Sequence, residues 1–472
     1  MKTDGNASEC NILSGKERML AMGIVLLGLF MSVLDTVIVS IALPSITAYF
    51  GNTISESQWV VTAYLITITA SMMIFGKLSA YTGLKKMFLG GIALFTISSL
   101  GCGIAPSLPI LITFRIAQAI GGAMTSSISM AIIYRLNPPD MQGKAIGIMG
   151  ATVAIGSLAG PGIGGVLIEV LDWRSIFYIN IPIGIIGLLL GIPYLRITDI
   201  REKGERKKGE NIDWTGAISF AIGITSVMVL FNAIATKGLY SMEVLTSFTT
   251  MSSAFIFLKW NEKKQINPIL DIRVFREPMF LLPLLSMVLF FAAVFMLNIT
   301  MPFYLERVLK FTPLHVGTMM MIIPLVLVIG SPIIGWLYDR SLWQYFSATG
   351  LLIAFSALLI CAWATLSEKL EIVLLSMGLF AAGYSLFQSP NNIEIMRGLH
   401  KDRAAIASSI ANTGRYFGMA IGASFASVIL SAKLLPETDI NNLTLSSGMT
   451  LVIAALICVI AAWPSYLRNR NN

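Results

Sequence analysis

The sequence has little charge, little histidine and little cysteine. Only 12% of its 472 residues are Asp, Glu, Lys or Arg, against about 25% in typical soluble domains. Charge this sparse excludes a protein surrounded by water and favours a chain that lies largely in lipid. The two histidines and four scattered cysteines show no metal-ligand spacing, so we expect neither a metal site nor a cofactor.

Several functional signatures are also missing. The first apolar run is too long for a cleavable signal peptide and has no small-residue cleavage site, so we expect it to remain as a spanning helix. No Gly-rich nucleotide-binding motif is present, which leaves ATP coupling unsupported. The sequence offers no nucleophile–base pair at membrane depth, so a membrane-embedded enzyme is only a remote alternative. One Asp and one Arg do not make the selectivity ring of a channel.

Long apolar segments are what the chain does contain. Crossing a bilayer takes about 20 apolar residues, and we count fourteen such segments. They predict an all-α integral membrane protein with 14 transmembrane helices. Most of the 33 Lys and Arg residues fall in segments that a cytoplasmic N-terminus would keep inside. We therefore predict that both termini are cytoplasmic, and we interpret the net charge of +8 as a topology signal and not as nucleic-acid binding.

An internal repeat predicts the domain organisation. The segments after the second and tenth spans both begin G-x-L, at Gly76 and at Gly335. This offset maps the first six spans onto the last six, and secondary transporters built from such repeats place their substrate site between the halves. The predicted parts are a six-helix bundle at 1–195, a cytoplasmic linker at 196–212, an inserted helix hairpin at 213–260, a second linker at 261–278 and a six-helix bundle at 279–472.

A single acid lies deep in the first span, which we predict to cover residues 19–40. Asp35 occurs in the phrase LDTVIVSIALP, near the predicted outer end of that span. A charged side chain at such depth costs roughly 2.5–3.5 kcal/mol, so it is a functional-site hypothesis by default. Because low dielectric disfavours an ionised carboxyl group, Asp35 can take up and release protons near neutral pH.

Arg115, in the fourth span, is expected at a similar depth. One interpretation is that Asp35 binds the proton and Arg115 tunes it, with substrate and proton competing for one carboxylate. The alternative is structural, with Asp35 bonded to its neighbours and Arg115 bracing helices. Gln118 lies one turn from Arg115 on the same helix face and can share its network.

Seven segments in chain order carry a family resemblance. They are LDTVIVSIALP (34–44), QWVVTAYLI (58–66), RIAQAIGGAM (115–124), GSLAGPGIGG (156–165), WRSIFYINIPIG (173–184), NPILDIRVFREPMF (267–280) and ASSIANTGRYFGMAIG (407–422). Together they resemble the 14-span drug:proton antiporter branch of the major facilitator superfamily. The resemblance implies a multidrug-resistance-type efflux transporter in the plasma membrane of a prokaryote, working by alternating access.

The resemblance also assigns two sets of residues. The fifth span carries an antiport-associated motif whose glycines let helices approach closely and whose proline permits a bend: Gly156, Gly160, Pro161, Gly164 and Gly165. The expected gating loops contain Gly76, Gly83, Lys85, Gly335, Asp339 and Arg340. In the first of these loops Ala80 replaces the Asp of the family pattern and Tyr81 replaces its Arg. The second loop keeps Asp339 and Arg340, so we expect locking of the inner gate either to depend more on the C-terminal half or to be weaker.

Candidates for the substrate cavity are polar or aromatic residues within apolar spans. Adaptable aromatic and Met walls suit varied apolar ligands. The set is Tyr64, Gln118, Phe291, Phe295, Asn298, Gln388, Asn391 and Arg415. For Arg415 two roles stay open, a brace between helices or a charge facing the cavity.

The sequence as a whole predicts export of lipophilic, cationic drugs in exchange for inward protons. The expected partners are protons, a small-molecule substrate and the lipid bilayer, and we expect a monomer. The alternative is a dedicated exporter of a single metabolite or antibiotic. One acid suggests one proton per cycle, so exchange for a monovalent cation would be electroneutral and independent of membrane voltage.

Overall fold

The computed structural model describes residues 15–138, 141–195, 213–238, 240–262, 272–340, 345–397, 404–430 and 440–470, and in these ranges its regular structure is helical. The helices are α1 (Gly15–Phe50), α2 (Ile54–Ser57), α3 (Trp59–Thr82), α4 (Leu84–Gly103), α5 (Leu108–Leu136), α6 (Gln142–Val170), α7 (Ser175–Tyr178), α8 (Asn180–Tyr194), α9 (Trp214–Lys237), α10 (Met242–Glu262), α11 (Pro278–Phe303), α12 (Pro313–Met320), α13 (Ile322–Arg340), α14 (Phe346–Leu366), α15 (Leu370–Arg397), α16 (Ala404–Leu430) and α17 (Ile440–Arg470). A 3-10 helix spans Ile272–Arg276 and a π-helix spans Tyr304–Val308. The linker predicted at 196–212, and residues 263–271 of the one predicted at 261–278, lie outside the described residues.

The all-helical membrane fold predicted from the sequence is confirmed. Twelve helical stretches in the described part are long and apolar enough to cross a bilayer. Two further helices, α10 and α16, form where spans were predicted but are not among the twelve. The polar run TSFTTMSS makes α10 less apolar than its neighbours. The count of fourteen spans therefore stays a prediction.

The first helix is longer than the sequence predicted. Instead of ending near Ser40, α1 continues through Pro44 to Phe50, so Asp35 lies near its middle and not close to its end. A proline removes one helical hydrogen bond, but Ile41, Leu43 and Ile46 remain fully buried against neighbouring helices. This packing keeps the segment helical where hydropathy alone suggested an end.

Two helical bundles, α1–α8 and α11–α17, contact each other most extensively where α1 packs on α11, α3 on α16, and α6 on α12. At the predicted outer end, where α1 ends, polar contacts cross between the bundles. Ser45 Oγ donates to Glu306 Oε1 at 3.4 Å, and the backbone N–H of Leu314 donates to Glu169 Oε2 at 2.9 Å. The bundles are therefore closed against each other at this end.

The glycine-rich helix α6 packs on both bundles. One row of its glycines, Gly156, Gly160 and Gly164, lies against α1. The next glycine, Gly165, faces α12 so closely that a Cβ atom there would lie 3.1 Å from Leu314 Cα and 3.2 Å from Gly317 Cα. A Cβ atom on Gly317 would collide with the carbonyl oxygen of Pro161. The motif thus supplies the closest backbone approach between the two halves among the glycines described.

The helices α9 and α10 form a hairpin beside the line where α3 and α16 meet. Phe220 and Leu258 of the hairpin form a small apolar cluster with Met73 of α3, and Phe417 of α16 packs against it. Asp213 caps α9 by accepting the N–H of Gly216 at 2.8 Å, and its carboxylate also accepts from Asn261 of α10 at 2.7 Å. The hairpin therefore touches both bundles.

Candidate functional site

The acid and the arginine singled out by the sequence form a buried ion pair. Arg115 Nη1 of α5 donates to Asp35 Oδ2 of α1 at 2.6 Å, and the two side chains are 1% and 0% exposed. Either charge alone would be costly at this depth. Their pairing explains how α1 and α5 accommodate both within one bundle.

Two amides complete the surroundings of the carboxylate. Gln118 Nε2 and Asn180 Nδ2 donate to Asp35 Oδ1 at 2.9 and 3.1 Å. Gln118 also donates to Ser99 Oγ at 2.8 Å and accepts from Arg115 Nη1 at 2.6 Å. Residues from α1, α4, α5 and α8 therefore share one network, and both carboxylate oxygens of Asp35 have donors, as a buried charge requires.

The guanidinium of Arg115 is held on its other sides as well. Its Nε donates to the carbonyl of Val60 at 3.1 Å, and its centre lies 4.1 Å from the centroid of the Tyr64 ring. Phe177 lies further away, at 5.8 Å. This stacking on Tyr64 is a cation–π contact. Arg115 is therefore bound to the N-terminal bundle through backbone, ring and carboxylate contacts.

A separate cavity lies between the two bundles. Its volume is about 610 Å³, within the roughly 300–1,000 Å³ range of small-molecule sites. From α1 it is lined by Val33, Thr36 and Val37, but not by Asp35, which faces the interior of its own bundle. Asp35, the candidate proton-binding residue, therefore lies on the same helix as part of the cavity wall but does not itself line the cavity.

Four residues predicted for the cavity lie on its wall. Phe291 and Phe295 of α11 face Gln388 of α15 and Arg415 of α16 in this lining. Tyr384 lies beside them, with its ring edge-on to Phe291 at 5.9 Å. The C-terminal bundle thus contributes an aromatic wall with polar groups set into it.

The structure places the other four candidates outside the described lining of this cavity. Tyr64 and Gln118 belong to the Arg115 network instead. Asn391 is buried and donates to the carbonyl of Pro283 at 3.1 Å, which ties α15 to α11. Asn298 is half-buried on α11 but does not reach the lining. Sequence position alone did not indicate which helix face each polar side chain occupies.

Arg415 differs from the other lining residues that the structure describes, because it alone among them carries a charge. Its Nε is buried without a hydrogen-bond partner, and no carboxylate in the described ranges forms an ion pair with it. The guanidinium lies 5.2 Å from the centroid of the Phe291 ring. The close packing of Gly418 against Val288 of α11 brings Arg415 to this position.

The expected gating loops are only partly described. Gly83 joins α3 to α4 with a φ of +88°, which glycine adopts without strain, and Lys85 Nζ donates to the carbonyl of Ile192 at 2.8 Å. In the second loop Arg340 stacks on Trp336 at 4.3 Å. Gly76 lies near Ser127, whereas a Cβ atom on Gly335 would meet no described atom within 4 Å. The side chains of Ala80 and Asp339 lie outside the described residues, so their comparison stays a prediction.

Sequence reasoning missed acids within the described spanning stretches, among them Glu306 and Glu394. The π-helix continues the apolar stretch that begins at Pro278 as far as Val308, so Glu306 belongs to it. Its Oε2 is buried without a partner in the described part, while Oε1 accepts from Ser45. The signal that could have found it was the unbroken apolar run before Tyr304. Asn180 and Ser99 were missed too, because short polar residues are common in spans.

With this geometry described, the chain can be compared with known proteins. The family model of the Major Facilitator Superfamily matches residues 25–423. The chain belongs to the major facilitator superfamily. It is 32% identical to the riboflavin transporter RibZ of Clostridioides difficile over 94% of this chain and 96% of that protein. It is 30% identical to the multidrug resistance protein Stp of Mycobacterium tuberculosis, over 86% of this chain and 75% of that protein.

Solved structures show the same fold. The inward open conformation of the xylose transporter XylE from E. coli aligns with a TM-score of 0.64 and 15% identity, over 95% of this chain and 96% of that one. The resemblance to the superfamily seen in the sequence is therefore confirmed. The family points to a multi-pass membrane transporter and not to an enzyme.

Proposed function

We propose that this chain is a proton-coupled secondary transporter that exports organic solutes by alternating access. The observation that carries the proposal is the buried Asp35–Arg115 pair directly behind the wall of a cavity between the bundles. A titratable acid enclosed with its own cation marks proton relays in membrane proteins. The cavity is shut at the predicted outer end by the contacts of Ser45 and Glu169, as an inward-facing state requires.

The helix α1 supplies a physical link between proton and substrate. Asp35 is followed at once by Thr36 and Val37 of the cavity wall, and further along by Ser45 of the outer contact. A proton on Asp35 removes the charge that holds Arg115, whose donors then rely on Gln118 and on the carbonyl of Val60. The charged and the protonated forms of Asp35 therefore favour different positions of α1 relative to α5. Because α1 carries part of the cavity wall and the outer contact, both move with it.

This coupling differs from the direct competition expected from the sequence. Asp35 does not line the cavity, and donors from Arg115, Gln118 and Asn180 occupy its oxygens. A substrate in the cavity therefore does not touch the proton site. Proton and substrate are instead coupled because each favours a different arrangement of the two bundles. This is the general condition for linkage between separate sites.

Two substrate ranges are supported by the comparisons, one broad and one narrow. The likeness to a protein named for multidrug resistance supports a broad range of lipophilic drugs. The likeness to a riboflavin transporter favours a dedicated exporter of one metabolite. A cationic substrate, expected from the sequence, finds no acidic residue among the described residues of the cavity lining.

The cellular setting is part of the same proposal. The basic residues favour fourteen spans with both termini in the cytoplasm of a prokaryote, and the transporter works as a monomer in its plasma membrane. The closed contacts of Ser45 and Glu169 then face outward, and the cavity serves solutes that arrive from the cytoplasm.

The test is transport by purified protein in proteoliposomes with an imposed pH gradient. A panel of unrelated aromatic compounds is offered to wild type, Asp35→Asn and Asp172→Asn. Asp172 is the matched control, because it pairs with Arg174 in a partly exposed site of the same bundle. We expect gradient-driven transport in wild type and Asp172→Asn but not in Asp35→Asn. Equal gradient-driven transport by Asp35→Asn would overturn the proton assignment.

A further inference from the structure

The charge of the cavity wall is the starting point. Among the described lining residues Arg415 is the one that carries a charge, and the other polar groups near it are uncharged side chains such as Gln388 and Asn392. No acid among the described lining residues offsets this positive charge. A cavity with fixed positive charge and walls of low dielectric repels cations and concentrates anions.

The surroundings of Arg415 leave its donors available. A guanidinium has five N–H donors, and none of those on Arg415 bonds to a protein acceptor in the described part of the chain. Its guanidinium lies 5.2 Å from the centroid of the Phe291 ring, a cation–π contact. Arg115 shows by contrast how this fold satisfies a structural arginine, with a carboxylate, an amide and a carbonyl. Arg415 therefore lacks the contacts of a structural brace.

The remaining walls are apolar and aromatic. Phe291, Phe295 and Tyr384 line one side, and Val37 of the opposite bundle lines the other. Aromatic rings stack or pack edge-on with such side chains. The arrangement therefore offers one ring-binding wall with a forked, permanently charged donor group next to it, which matches carboxylate, sulfonate and phosphate groups.

We propose that the cavity binds an amphipathic aromatic anion, whose acidic group Arg415 holds while its ring lies against Phe291 and Tyr384. This assignment rests on the proposed transport function and names its class of substrate. It reverses the charge that the sequence led us to expect. The binding site for the substrate then lies in the C-terminal bundle, apart from Asp35.

Three ligands that share one ring system test the charge directly. Naphthalenesulfonate, naphthalenesulfonamide and naphthyltrimethylammonium carry fixed negative, zero and positive charge on the same bicyclic ring. Calorimetry on purified wild-type protein measures their dissociation constants. Because hydrogen bonds to charged groups contribute strongly, we expect the sulfonate to bind about tenfold or more tighter than the sulfonamide, with the ammonium weakest.

Variants assign the effect to one residue. Arg415→Gln should weaken naphthalenesulfonate about tenfold and change the sulfonamide by less than about threefold. Arg415→Lys keeps the charge and should restore part of the affinity, since an ammonium lacks the planar fork. Arg174→Gln removes the same charge outside the cavity and should leave all three constants unchanged. Unchanged sulfonamide binding shows that each variant is folded.

Several results would overturn the assignment. These are equal binding of the three ligands, tightest binding of the ammonium, absence of sulfonate binding, or sulfonate binding that Arg415→Gln leaves intact. The proposed transport function fails separately. If the sulfonate binds through Arg415 but no proton gradient drives transport in the proteoliposome assay, the anion site stands and the proton coupling is wrong.

Discussion

Each bundle carries an arginine within one of its helices, and the two differ: Arg115 is fully buried, whereas Arg415 is half-buried on the cavity wall. Arg115 has a carboxylate at 2.6 Å, an amide, a backbone carbonyl and a ring face. Arg415 has a ring face and open cavity beside it. The Arg115 site shows that this fold can surround a buried guanidinium with hydrogen-bond acceptors. The difference indicates that the two serve different steps, one holding a proton site and the other left available for a ligand.

This division has a consequence for how transport is coupled. With one carboxylate shared by proton and substrate, exchange would follow from simple competition. With separate sites, each ligand must favour a different arrangement of the bundles. The continuous helix α1 reaches both regions and also the outer contact at Ser45, so it is the element through which the two sites communicate.

The largest expected effect is on the response to membrane voltage. Moving one charge across 100 mV is worth about 2.3 kcal/mol. Exchange of one inward proton for one outward monovalent anion moves two charges, or about 4.6 kcal/mol per 100 mV. At zero pH gradient, a potassium diffusion potential should therefore drive naphthalenesulfonate strongly across proteoliposomes containing wild type. Voltage-independent transport of the sulfonate would instead fit electroneutral movement of the anion together with a proton, and would contradict exchange of an inward proton for an outward anion.

The next effect is on the free energy of unfolding, measured by denaturation in detergent. Asp35→Asn or Arg115→Gln leaves a buried charge without its partner, which typically costs about 3–5 kcal/mol. The double variant removes both charges and should recover much of that loss while transport stays absent. Arg415→Gln breaks no ion pair, so we expect a change below about 1 kcal/mol.

Two results of this series would weaken the comparison between the arginines. One is a loss for Arg415→Gln as large as that for Arg115→Gln, which would make Arg415 a structural brace. The other is simple additivity of the Asp35 and Arg115 variants, since residues in direct contact are expected to be coupled.

Much of this fold could be predicted from the sequence. Long apolar segments gave the helices, and the depth of Asp35 and Arg115 in their spans predicted that they lie near each other. The end of α1 could not be predicted, because packing of the other helices around Ile41 and Leu43 keeps the chain helical beyond the predicted end at Ser40.

The faces of the helices were harder to predict than the helices themselves. Hydrophobic periodicity is weak in a helix that is apolar all round, so the sequence did not separate Asn391, which bonds to a backbone carbonyl, from Gln388 on the cavity wall. The absence of acids around Arg415 among the described lining residues depends on side chains from several helices and has no local signature in the sequence.

The most direct test of two separate, coupled sites follows protons and anion together in proteoliposomes that enclose a pH-sensitive dye. A gradient of naphthalenesulfonate is applied to wild type and to Asp35→Asn, and calorimetry gives the binding constant of each. We expect proton movement opposite to the anion in wild type, and no proton movement in Asp35→Asn although it binds the anion within about threefold of wild type. Proton movement that persists in Asp35→Asn, or loss of anion binding in that variant, would contradict two separate sites coupled through α1.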